Sequence, residues 1–292
     1  MLSISSTHKA PPNSDRPTRR LILAGLGATV TSYAFDAKNA FGKAANQSVL
    51  DIIAEFEASP DLSFTNYQFR EFAENFPDLR LERAPSRVDP SDLAISSTSK
   101  ALIIACEVSS EAVYIQKYQR PIWPGGHSGI TVGIGYDLGY VSPDESRRAW
   151  EGYLDHSALD SLTTACGLKG NRAKEMLAAV NNIVVGWDHA KTQFSEELKR
   201  YVGLAQKSLP NFSSLSEHSR GAIVSLVYNR GPSFDASGPR YQEMRRIREH
   251  MIVRDFSKIP NELRAMTRLW PDMKGLLRRR EAEASLFEMG LQ

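Results

Sequence analysis

Two cysteines in 292 residues, Cys106 and Cys166, are too few for a disulfide scaffold or a cysteine-rich metal site. They either pair in an oxidising compartment or stay as thiols, and the apolar run around Cys106 favours a simply buried side chain. A charge excess is missing too. The chain holds 36 Lys and Arg against 34 Asp and Glu, which removes the strongly basic surface that duplex nucleic acid requires. No repeat array, coiled-coil pattern or disordered tail is evident. Long apolar runs are lacking as well: the stretch after Arg20 is too short to span a bilayer comfortably. With 41% hydrophobic and 24% charged residues, the composition is that of a globular protein of one large domain or two small ones.

What is present begins with an uneven N-terminus. Six basic residues but only two acids lie in the first 44 positions, so the remaining chain is slightly acidic. Arg19-Arg20 precede a modest apolar stretch from Leu21 to about Ala34 that contains Gly25 and Gly27, and Gly42-Lys43-Ala44 follows as a small-x-Ala site. A charged segment, a short apolar segment and small residues in that order mark an export address. The paired arginines resemble a twin-arginine signal. The expected organisation is a signal peptide over 1–44, an N-terminal extension over 45–96 and the main domain over 97–292. The mature protein is then periplasmic or secreted, with no membrane anchor left after cleavage.

Beyond the signal, Val49-Leu50-x-Ile52-Ile53-x-x-Phe56 has helical spacing, and Pro-rich stretches follow it. Ser97 and Ser99 are candidate N-caps of a buried helix that starts with Leu102-Ile103-Ile104, runs towards Tyr118 and is ended by Pro121. Residues 121–129, rich in Pro and Gly, predict a loop. Ile130 to Tyr136 alternates like a short strand or hairpin. Ser142 with Glu145 three residues on predicts a capping box. Further helices are expected near 158–166, 171–182, 189–207, 216–229, 238–253, 259–268 and 274–288. Together these elements predict an α+β fold, a mostly helical body beside a small β element. Arginines and lysines crowd the C-terminal third, which suits either an anionic polymer or helix faces paired with nearby acids.

Glu107 is the candidate acid. In a continuous helix it has Ile103 and Ile104 one turn back and Glu111 one turn ahead. An apolar wall and a neighbouring acid both raise a carboxyl's pKa, and a protonated carboxylic acid near neutral pH is what protonates a glycosidic oxygen. The second candidate stretch is Thr131-Val-Gly-Ile-Gly-Tyr-Asp137, whose glycines allow a close backbone approach. It is no dinucleotide fingerprint, because Gly139 falls one residue late and Ser142-Pro143 breaks structure before a helix begins. Ser128 lies in no nucleophile-elbow pattern, so a serine hydrolase is poorly supported.

Glu107, Tyr114 seven residues on, and the Thr131-x-Gly-x-Gly135 run together resemble the active-site stretch of phage-type lysozymes. Ala222-Ile-Val-Ser-Leu-Val-Tyr-Asn-Arg-Gly231 resembles that family's central helix, and Gly275-Leu-Leu-Arg-Arg-Arg-Glu-Ala-Glu283 its C-terminal helix. The three segments keep the family's order over residues 97–290. Many of these enzymes carry an acid or cysteine shortly after the tyrosine, where this chain has Ile115 and Gln116. Asp137 is the only acid between Glu111 and Asp144, and its place after the Thr-x-Gly-x-Gly run resembles the muramidase domain of the bacteriocin pesticin.

The resemblance implies a lysozyme-like fold with the hairpin at the active site. It also implies a peptidoglycan muramidase that needs no cofactor or metal. Glu107 is then the general acid, Asp137 stabilises the oxocarbenium-like state or acts as base, and Thr131 holds the water. Inversion is the expected stereochemistry. Trp123, His127 and Tyr136 are candidate substrate-binding residues, and Arg278 or Arg279 is expected to pair with Glu107 or meet substrate carboxylates. Asn229 is expected to close a helix end. The glycan strands of peptidoglycan are the expected partner, and the oligomeric state is not legible. A lytic transglycosylase and a catalytically inactive peptidoglycan-binding module are the alternatives.

Overall fold

The computed structural model describes residues 48–63, 88–126 and 128–292. The expected signal over 1–44 and most of the 45–96 extension lie outside the described residues, and so does His127. The first described helix, α1 (Val49–Ala58), starts at a capping box between Ser48 and Asp51. It buries Val49, Ile52, Ile53 and Phe56, each contributing about 1.5–3 kcal/mol of apolar burial. These four make α1 part of the common core.

The long helix expected from Leu102 towards Tyr118 is two helices. α2 (Ser97–Val108) is capped by Ser96, one residue before the expected Ser97, with the Ser96 side chain accepting from the Ser99 N–H. The chain breaks at Ser109, whose φ of 67° lies in the left-handed region. The Ser109 hydroxyl donates to the Phe56 carbonyl at 2.8 Å, which ties the end of α1 to the end of α2. Ser110 then caps α3 (Glu111–Lys117). Glu111 therefore opens a new helix and is not one turn ahead of Glu107 on a shared one.

The β element is a hairpin of β1 (Thr131–Val132) and β2 (Tyr136–Asp137), with Thr131 opposite Asp137 and Val132 opposite Tyr136. The 121–129 loop is less irregular than expected, because Ile122 bridges to Thr131 on its other side. Then follow α4 (Pro143–Trp150), α5 (His156–Thr163), α6 (Asn171–Val180), α7 (Trp187–Ser208), α8 (Glu217–Arg230), α9 (Gln242–Val253), α10 (Ile259–Ala265) and α11 (Lys274–Met289). The capping box of Ser142 and Glu145 opens α4 as the sequence predicts. The other ends differ from the expected ones by a few residues.

α8 is the centre of the body. It packs on α7, α11 and α2, and Ala222, Ile223, Val224, Ser225, Leu226 and Val227 are all buried. A helix buried on every side must be apolar all round. α11 carries Arg279, Arg280 and Glu283 into this interior. The described residues form a mostly helical body with one two-stranded antiparallel sheet, an α+β architecture. The described residues all belong to a unit running from Asn46 to Gln292. No described helix is long and apolar enough to cross a membrane.

Candidate active site

A cavity of about 860 Å³ opens where α2 ends, where the hairpin turns and where α7 and α8 pass. That volume is in the range of ligand sites. Glu107, Thr131, Gly135, Tyr136 and Asp137 all line it.

Glu107 occupies the last turn of α2 and is 3% exposed. Its Oε1 accepts from Arg279 Nη1 at 2.7 Å. Its Oε2 faces the hairpin, 3.3 Å from where a Cβ on Gly135 would stand. Burial raises the carboxyl's pKa, and the Arg279 charge and hydrogen bond pull it back only in part. The raising cause is burial itself. Glu111 lies off the cavity lining and is no part of the cause.

Behind Glu107 lies a buried ionic network. Arg279 also contacts Glu283 at 3.3 Å and donates to the Ser225 carbonyl at 3.1 Å. Arg280 reaches the same Glu283 oxygen at 2.9 Å and the Asn229 side chain at 3.1 Å. Asn229 therefore anchors an arginine and does not cap the helix. The cap is made by Gly231, whose φ is 76° and whose N–H returns to the Val227 carbonyl.

The hairpin turn reaches Glu107 because Gly133 and Gly135 take φ of 61° and 77°. A Cβ on Gly135 would lie 2.8 Å from the Tyr228 hydroxyl. That hydroxyl donates to the Ile134 carbonyl at 2.7 Å, so α8 holds the turn in place. Thr131 is 6% exposed, and among the described residues its hydroxyl has no protein partner. Opposite residues of an antiparallel pair point to one face, so Thr131 and Asp137 share the cavity side. Asp137 is half-buried, and both its oxygens accept backbone bonds: Oδ1 from the Gly139 N–H at 2.8 Å, Oδ2 from the Gly129 N–H at 3.3 Å. Burial nevertheless raises its pKa to about 6, against the pull of those bonds and of Lys169.

Other expected residues fall elsewhere. Arg278 is not brought to the cavity: it pairs with Glu55 of α1 at 2.6 Å, since successive helical positions point to different faces. The Trp123 indole N–H donates to the Ser128 carbonyl at 3.2 Å, and the ring is not among the cavity-lining side chains. Much of the C-terminal basic surface is spent on ion pairs: Arg264 with Glu281 and Glu288, Arg268 with Glu243, Arg246 with Glu262. Cys106 is a buried free thiol with its pKa pushed up to about 12 by burial, and Cys166 is also free. Among the described residues, no group of three or more His, Cys, Asp or Glu could hold a metal ion.

Sequence reading missed one wall of the cavity. Gln193, Glu196, Glu197, Arg200 and Tyr201 of α7 line it, facing Tyr228 of α8. Their spacing, i, i+3, i+4, i+7, i+8, is one helical stripe. The same pattern describes an ordinary solvated helix face, so the sequence carries no signal that separates the two.

No family model matches the chain, and no curated protein matches it.

Proposed function

We propose that the protein is a peptidoglycan muramidase with a lysozyme-like fold, which hydrolyses the β-1,4 bond between N-acetylmuramic acid and N-acetylglucosamine. The observation that carries the reading is Glu107, a carboxyl that is buried, raised in pKa and yet open to a large cavity. Burial that raises a carboxyl's pKa favours the proton-carrying form that a leaving oxygen requires. The unpartnered Thr131 hydroxyl on the same face suits it to hold the attacking water. Asp137 beside it, fixed by two backbone N–H groups, serves as the second carboxylate. Export through the twin-arginine signal over 1–44 brings the enzyme to its polymer in the periplasm or outside the cell.

One observation favours a second reading. Each Asp137 oxygen accepts a backbone N–H bond, which holds the carboxyl in place and restrains it from turning to orient a water. A lytic transglycosylase works with one acid and no hydrolytic water. Digestion of purified peptidoglycan by wild type and Glu107→Gln, with products read by mass spectrometry, tests both. Reducing muropeptides from wild type, and a loss of about 10²–10⁴-fold in the variant, support the muramidase. Anhydro-muropeptides shift the assignment to the transglycosylase. Binding without any product leaves a peptidoglycan-binding module.

A further inference from the structure

The α7 wall of the cavity has chemistry of its own. Arg200 Nε bonds Glu197 Oε1 at 2.6 Å, and the Nη2 contact falls on the same oxygen. Among the described residues, Glu197 Oε2 therefore has no protein partner. The two side chains are 28% and 14% exposed. That is too hidden for a solvated surface pair and too open for a core pair, and the opening is the cavity. The Arg200 guanidinium lies 4.7 Å over the Tyr201 ring, whose centroid is 4.4 Å from that of Tyr228. Tyr228 in turn approaches the Gly135 turn beside Glu107. An aromatic step thus leads from the candidate acid to the ion pair, and both tyrosines feel the charges of Glu107 and Glu197.

The balance of charge narrows the ligand. Arg200 is neutralised by Glu197, and Glu145, Glu151 and Glu196 line the same cavity with Arg148 and Lys199. A lone carboxylate or phosphate gains little at a cation that already has its partner. A neutral ligand rich in hydroxyl and amide groups gains more, because the pair offers an acceptor and donors side by side at the cavity wall.

We infer that the Glu197–Arg200 pair with Tyr201 and Tyr228 forms a saccharide subsite, which takes an uncharged acetamido-sugar ring next to the bond whose oxygen Glu107 protonates. The inference rests on the glycan reading of the cavity. It assigns α7 a ligand-reading role in addition to packing.

The test uses the full chain carrying Glu107→Gln, so that ligand is not consumed. Its affinity for a linear N-acetylglucosamine tetramer is measured by calorimetry, alone and with Glu197→Gln, Arg200→Met or the swapped pair Glu197→Arg with Arg200→Glu. The subsite predicts at least about tenfold weaker binding in each, with thermal melting showing that each variant is folded. Undiminished binding in the two single variants overturns it. Recovery of binding in the swapped pair also overturns it, since the pair would then only hold the wall together. No tetramer binding by the Glu107→Gln parent overturns it as well. Digestion of peptidoglycan by wild type then decides separately whether the glycan reading survives.

Discussion

Two glutamate–arginine pairs face one cavity from different depths. Glu107 and Arg279 are 4% and 2% exposed at their side chains, whereas Glu197 and Arg200 are 14% and 28% exposed. The chemistry of the partners is the same, and burial raises the pKa of both acids. What differs is the surroundings of the arginine. Arg279 sits among Glu107, Ser225, Glu283 and Arg280 and is buried, so its charge is balanced by protein groups. Arg200 borders the opening, where solvent or ligand can replace a lost partner. The deep pair fixes one carboxyl in a set electrostatic state. The shallow pair leaves an acceptor open to whatever enters. A cavity that holds both can keep a reactive group rigid and still adapt to its ligand.

The largest effect expected of this contrast is on stability. Arg279→Leu leaves Glu107 buried without its arginine, while Glu283 keeps Arg280, and should cost about 3–5 kcal/mol in urea unfolding. Arg200→Leu should cost clearly less, because Glu197 keeps access to the cavity. Equal losses would break the comparison. A smaller effect probes how the turn is pressed against the deep pair. Gly135→Ala forces a side chain into a left-handed backbone position and against the Tyr228 hydroxyl, and should cost about 1–3 kcal/mol. Adding Tyr228→Phe, which removes the clashing hydroxyl, should return part of that loss. A thermal-melting comparison of the single and double variants reads it.

A further effect is a pH dependence from Asp137. Its folded pKa is about 6 against an ordinary 3.8, so the folded state binds its proton more tightly than the unfolded state. Below about pH 4 both states carry the proton and no cost arises. As pH rises through about 6, ionisation opposes folding and wild type loses stability. Asp137→Asn cannot ionise and should lack this part of the loss, seen as urea midpoints that change less between pH 4 and 7. A variant profile parallel to wild type would assign the dependence to another carboxyl.

Local signals carried much of this protein. The 3.6-residue spacing of Val49, Ile52, Ile53 and Phe56 gave α1. The Ser142–Glu145 pair gave the start of α4, and the alternation around Gly133 and Gly135 gave the hairpin. Each is a short-range effect in which backbone preference, capping or steric freedom acts within one turn, so the residues themselves determine it. Glu107 as candidate acid was legible in part, because its apolar neighbours on the helix are also written locally. The break at Ser109 was not: it is stabilised by a carbonyl 53 positions away. Only the packing of α11 against α8 decided that Arg279 reaches Glu107 while Arg278 reaches Glu55, since the sequence shows adjacent arginines but not which face each occupies. The same holds for Gln193, Glu197, Arg200 and Tyr201, whose stripe is an ordinary polar helix face until the hairpin and α8 enclose a cavity in front of it. Sequence determined the elements because their causes lie within a few residues. The tertiary structure decided the site, because burial and charge balance depend on which distant segments meet.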